Sequence, residues 1–143
     1  MGMEEIPPGK KIRLHHHPHA EEILFIHRGT GVARLGAREL VSAVAEEEAA
    51  RLGVRYERIR IGGQRTLWGS CSSRGTLSFN WRLVLAPPEV LDYVVVHELC
   101  HLRVPNHSRR FWALVERQRP HWREQRAWLR EHGPELLAFN PGA

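Results

Sequence analysis

Apolar side chains recur every three or four positions between residues 38 and 52, at Leu40, Val41, Val44, Ala45, Ala49 and Leu52, with Glu48 on the same face. That spacing predicts a helix over 38–52, and Gly53 is a natural stop. The period then shortens. Val54 and Tyr56, then Ile59 and Ile61, alternate with polar residues, predicting a strand over 54–61 that Gly62-Gly63 breaks. Residues 65–71 and 76–82 predict a hairpin about Ser72-Ser73-Arg74-Gly75. Helical spacing returns at Leu91, Val94, Val95, Leu99 and Leu102. Pro87 or Pro88 suits the first turn and Pro105 ends the segment, so a helix over about 88–103 is expected. Helices near 108–118 and 121–132 follow, the last closed by Gly133-Pro134. Upstream, 21–27 and 31–36 read as a hairpin around Arg28-Gly29-Thr30. The order is therefore α+β: a β-hairpin-like N-terminal segment (1–37), then a domain (38–143) with a helix, a short sheet, an apolar helix and C-terminal helices.

Composition narrows the class. A chain of 143 residues with 42% hydrophobic content builds one compact domain with a modest core. No apolar run approaches 18 residues, so no membrane span is expected. The start MGMEEIPPGKK lacks the apolar stretch of a secretory signal, which makes a cytoplasmic location the expectation. Two cysteines, Cys71 and Cys100, are too few for a disulfide framework. The net charge of +5 comes almost entirely from arginine, since Lys10 and Lys11 are the only lysines. Arg103, Arg109, Arg110, Arg117, Arg119, Arg123, Arg126 and Arg130 interleave with Trp112, Trp122 and Trp128 in the C-terminal helices. This has two readings: a surface for weak nucleic-acid association, or solvated helix faces with the tryptophans as core anchors. Glu116, Glu124, Glu131 and Glu135 dilute the charge and favour the second.

The chemistry concentrates in the apolar helix. His97-Glu98-Leu99-Cys100-His101 places two imidazoles four residues apart, nearly above one another on an α-helix. Both reach one metal, and the neighbouring Glu98 can take a proton from water without itself being a ligand. With ten histidines in the chain such a pattern also arises by chance, so its surroundings carry the weight. A buried helix bearing two His and one Glu needs a partner for those polar groups, and a metal supplies one. His107 is the natural third ligand, because Pro105-Asn106 is a turn signal that can bring the chain back. Its alternative is to begin the next helix, capped by Asn106 or Ser108. Three protein ligands and an open position describe a catalytic zinc site, with one Zn2+ per chain. Tyr93 and Arg82 are candidate oxyanion helpers, Tyr93 with a competing core reading and Arg82 with a competing surface one. Strand 76–82 is expected as an exposed edge that aligns a peptide. Packing is the expected role of both cysteines.

Beyond these residues, the segments QRTLWGSCSS (64–73), LSFNWRLVLAP (77–87), VVVHELCHL (94–102) and PNHSRRFW (105–112) resemble the YgjP-like metallopeptidase family, over about Arg38 to Asn140. Those are zinc-dependent hydrolases related to SprT-type and Wss-type proteases. The resemblance implies a zincin-like core, zinc ligands at His97, His101 and His107, Glu98 as acid/base, and a peptide or protein substrate. Members usually carry a longer region before this core, and Leu67 stands where the family is often basic. Residues 9–29 instead resemble the first signature of cupin barrels, G-x5-H-x-H-x4-E-x6-G, in which His15, His17 and Glu22 would bind a second metal. The second cupin signature is absent, and the plainer reading is a His-rich hairpin without a site. Three functions follow: a zinc metallopeptidase, favoured; a non-catalytic metal-binding module using His15 and His17; and a basic nucleic-acid-associated protein with a degenerate site.

Overall fold

A computed structural model describes residues 30–140. The cupin-like segment with His15, His17 and Glu22, and the first expected strand at 21–27, lie outside them. The described chain runs α1 (Thr30–Leu52), β1 (Arg58–Gly62), β2 (Gly69–Cys71), β3 (Thr76–Asn80), a 3-10 helix (Trp81–Leu85), α2 (Pro88–Cys100), α3 (Arg109–Gln118) and α4 (Trp122–Leu137). It is an α+β fold of four helices and one small sheet.

Two expectations are corrected at the helix ends. Residues 31–36 are not a strand: α1 begins at Thr30 and passes straight through position 37. The three-to-four spacing of its buried face extends backwards from Val41 through Ala37 and Ala33, and alanine favours helix. Gly133-Pro134 does not close α4, which continues to Leu137. Proline removes one helix hydrogen bond there. The turn is nonetheless held, because Gly133 packs on Trp68 so closely that a β-carbon would stand 3.2 Å from the indole nitrogen.

The sheet order is β1-β3-β2, with β1 parallel and β2 antiparallel to β3. The middle strand is thus β3, and 76–82 is not the exposed edge expected of it; Trp81 and Arg82 already belong to the 3-10 helix. Its Leu77 and Phe79 point into the core, against the apolar body of α2. The two edges differ. Along β1, Arg38 and Arg34 of α1 donate to the carbonyls of Ile59 (3.0 Å) and Ile61 (3.4 Å), covering that edge. Along β2, Trp68, Ser70 and Ser72 face their partners Asn80, Ser78 and Thr76. By the alternation of an antiparallel ladder, Gly69 and Cys71 turn their N–H and C=O groups away from β3. No described strand pairs with that side.

Asn80 locks this edge in place. Fully buried, it donates to the carbonyls of Gln64 (2.6 Å) and Leu67 (3.1 Å), and its Oδ1 accepts from the Arg82 backbone N–H (3.0 Å). α1 packs against α2, and α2 lies over β2 and β3. The site described next therefore stands on a helix held on one side by α1 and on another by the open strand.

Candidate metal centre

α2 starts at Pro88 and ends at Cys100, slightly short of the expected 103, because its last turn tightens. Leu102 and Arg103 donate three residues back, to Leu99 and Cys100, and Val104 returns to Cys100 O at 2.9 Å. The tightening brings the Val104 carbonyl 3.1 Å from His101 Nδ1. A carbonyl only accepts, so His101 carries its proton on Nδ1 and presents a lone pair at Nε2. On the preceding turn, His97 Nδ1 meets the hydroxyl of Tyr93 at 3.3 Å. With each Nδ1 engaged, Nε2 of both rings is directed to the same point.

His107 reaches that point from the following loop. Asn106 Oδ1 accepts from Ser108 N–H, and Ser108 caps α3 by accepting from Phe111 N–H. Both capping residues fix the turn, and His107 is left just outside the helix. Its Nε2 stands 3.1 Å from His101 Nε2 and 3.3 Å from His97 Nε2. One proton on His107 satisfies at most one of these contacts. Burial, reinforced by the neighbouring imidazoles and Arg126, holds His97 down to about 3, and burial lowers His101 too. Both are neutral at ordinary pH. Three ring nitrogens that converge in this way could hold a cation between them. A tetrahedral zinc with Zn–N bonds of ~2.0–2.1 Å would space its ligand atoms by about 3.3 Å. The donor set fits such an ion, and among the described residues it is the one His/Cys/Asp/Glu group that could hold a metal.

Glu98 follows His97 on α2. It is 7% exposed, and burial lifts its carboxyl to about 7. It lies against β2: a β-carbon on Gly69 would stand 3.1 Å from Glu98 Cγ, from its Oε2 and from Val94 Cγ1. Glycine at position 69 leaves room for the carboxylate beside the open strand. Cys71, two residues along, feels the same group; burial first and Glu98 second push its thiol to about 11. Cys100 is fully buried in the core and pushed to about 12. Neither thiol ionises near neutrality, as packing residues should not.

The two proposed helpers occupy different places. Tyr93 is buried beside His97, its hydroxyl raised to about 12 chiefly by burial. Arg82 is 3% exposed rather than at the surface, and its guanidinium donates to Phe139 O (2.8 Å), Gly63 O (3.2 Å) and Asn80 Oδ1 (3.3 Å). Those bonds tie the chain end to the loop before β2. They do not join Arg82 to the histidines.

Sequence reasoning passed over the aromatic floor. Phe111 is fully buried, stacks on His101 at 4.3 Å and meets His97 and His107 edge-on. Trp112 stacks on His107 (5.8 Å), on Trp122 (4.3 Å) and beneath Arg126. The signal was their position four and five residues after His107 in PNHSRRFW. With these faces taken within the chain, and Arg119 and Arg123 paired to Glu48 and Glu116, a nucleic-acid role for the C-terminal helices finds no support.

The chain and its fold have counterparts among known proteins. A family model described as YgjP-like, metallopeptidase domain, matches residues 9–132. The chain belongs to that family. The match begins well before Arg38 and runs across position 37, taking in the cupin-like segment. The crystal structure of the metallopeptidase zymogen of Pyrococcus abyssi abylysin has a similar fold, with a TM-score of 0.57 and 24% identity over 64% of this chain and 93% of that one. No curated protein matches. Membership makes the chain a metallopeptidase, which implies a metal ion, commonly zinc, and peptide or protein substrates. No helix among the described residues is long and apolar enough to cross a membrane.

Proposed function

We propose that the chain is a zincin-type peptidase in which His97, His101 and His107 hold one zinc ion and Glu98 is the general base. The observation that carries this is the meeting of three imidazoles, with His107 Nε2 3.1 and 3.3 Å from the other two Nε2 atoms, on a helix that also bears a buried carboxyl raised to about 7. When bound, the ion supplies a Lewis acid that acidifies water and polarises the scissile carbonyl.

The chain's own residues do the rest. Tyr93 and the Val104 carbonyl fix the ring orientations of His97 and His101. Phe111 walls the rings from water on their inner side. The outward N–H and C=O groups of Gly69 and Cys71 pair with an extended peptide as an added strand, in the role first expected of 76–82. Glu98, alongside Gly69, then takes a proton from the attacking water on its carboxylate. A group near 7 gives that proton up again readily, and Glu98 delivers it to the leaving amine. Tyr93 serves as the partner of His97 in this scheme, which supersedes its assignment as oxyanion helper.

Elemental analysis of the purified chain and of His101→Ala tests the reading. About one zinc per parent chain, absent from the variant together with peptide hydrolysis, is the expected result. Zinc that persists in a folded His101→Ala variant would overturn it and direct attention to His15 and His17.

A further inference from the structure

The aromatic wall beside the histidines carries a charge that the proposed reaction does not use. On α4, Trp122, Arg126, Leu129 and Gly133 lie within about 60° of one another around the helix axis. Three of them face inwards: Trp122 is buried, Leu129 packs on the core, and Gly133 meets Trp68. Arg126 shares that inward face yet is exposed. Solvent therefore reaches it on the side of the fold where the metal centre lies.

Its head is held there. The guanidinium carbon stands 5.2 Å over the Trp112 ring and 6.0 Å over that of Trp122. Trp112 in turn contacts His107 at 5.8 Å and His97 at 5.5 Å, so a single ring separates the cation from the ligands. The two ring distances combined place the guanidinium within about 11 Å of either imidazole, at most about three residues of extended peptide. Arg119 and Arg123 have carboxylate partners; no carboxylate pairs with Arg126 among the described residues. Its charge is felt at both His97 and Tyr93. A cation resting on an aromatic face keeps its N–H groups free in the guanidinium plane, which is the geometry that grips a carboxylate by two parallel hydrogen bonds.

From this placement we infer that Arg126 is a specificity residue of the peptidase site, binding a carboxylate of the substrate within three residues of the bond to be cut. That carboxylate is either the free C-terminus of the peptide or an Asp or Glu side chain. The inference rests on the metallopeptidase reading, but its binding half is tested without turnover. A nucleic acid fits this wall less well, since Trp112 is sandwiched by His107, Trp122 and Arg126 and offers bases no open face.

The experiment uses the full chain, zinc-loaded, as Glu98→Gln to suppress hydrolysis. The probes are three octapeptides of one neutral sequence: C-terminally amidated, with a free C-terminal carboxylate, and amidated with one internal glutamate. Binding is read from tryptophan fluorescence. One anionic peptide binds about 10- to 100-fold more tightly than the neutral one, and this preference disappears when Arg126→Gln is added, while the neutral peptide binds as before. Which anionic peptide is preferred assigns the terminal or the side-chain carboxylate. Arg126→Lys restores part of the preference, since charge remains and the fork is lost. Equal binding of all three peptides, a preference that survives Arg126→Gln, or tighter Arg126-dependent binding of a single-stranded oligonucleotide would each overturn the inference. If the parent with Glu98 intact cuts none of the peptides but the Arg126-dependent preference stands, the peptidase reading fails and the carboxylate site does not.

Discussion

Two buried glutamates face opposite fates in this fold. Glu48 on α1 is 3% exposed and lies between cations, with Arg51 and Arg119 each 3.2 Å from its Oε2 and Asp92 joined through Arg119. Glu98 on α2 is 7% exposed, has no paired cation among the described residues, and is driven up to about 7 by burial. A carboxylate that ties three segments together is neutralised by arginine. Glu98, which the proposed function needs to gain and lose a proton near neutrality, is left beside a glycine on the open strand. The contrast separates a carboxylate that holds the fold from the one to which the proposed function assigns the chemistry.

Exchanging either carboxyl for an amide breaks that comparison in opposite directions. Glu98→Gln lowers kcat/KM by about 10²–10⁴-fold, read in a peptide-hydrolysis assay. In the metal-free chain the same change stabilises. The folded Glu98 carboxyl binds its proton more tightly than the ordinary value of 4.5, so its unfavourable burial is absent below about pH 4.5, grows as pH rises from there to about 7, and is fully present above. Urea unfolding at pH 8 should therefore show Glu98→Gln about 2–3 kcal/mol more stable than the parent. Glu48→Gln has the reverse profile: kcat/KM is unchanged, and unfolding becomes easier by about 1–3 kcal/mol, discounted because Arg51 and Arg119 are partly exposed.

Crowding the free carboxylate sharpens the comparison further. Gly69→Ala sets a methyl 3.1 Å from Glu98 Cγ and Oε2. It lowers kcat/KM by about 10- to 100-fold through misplacement of the base, while zinc content stays at the parent level. A smaller effect comes from Tyr93→Phe, which removes the partner of His97 Nδ1 and weakens zinc binding by about 10-fold in a chelator competition.

The pH profile reports the same group. In the proposed function Glu98 works as a base only when ionised, so kcat/KM should climb with pH towards 7. The bound cation favours the carboxylate and places that limb at or below pH 7. In the metal-free chain His97 acts on the acid side. Its folded value of about 3 lies below the ordinary 6.5, so stability is lost as pH falls from about 6.5 towards 3.

The convergence of the histidines was more legible in the sequence than its surroundings. The pairing of His97 with His101 was legible from helix spacing in an apolar setting, and the approach of His107 from one turn signal, because both depend on local spacing. The hairpin 69–80 was legible for the same reason. The strand order was not. That β3 lies in the middle is decided by the parallel pairing of β1, a long-range contact with no local signature. Two helix boundaries failed because local signals lost to packing. Ala33 and Ala37 continue the buried face of α1 through the expected strand at 31–36, and Gly133 docks on Trp68 despite Pro134. Arg82 looked like surface by residue type, yet three acceptors from distant segments bury it. The aromatic floor of Phe111 and Trp112 was in view as a motif, but nothing in its spacing says that all three imidazoles rest on it.

The central claim is that Glu98 performs chemistry while three histidines hold the metal. It is tested most directly by measuring bound zinc and peptide hydrolysis together in Glu98→Gln. The account predicts about one zinc per chain, as in the parent, with hydrolysis reduced to near background. Loss of the zinc, or turnover close to that of the parent, would contradict it.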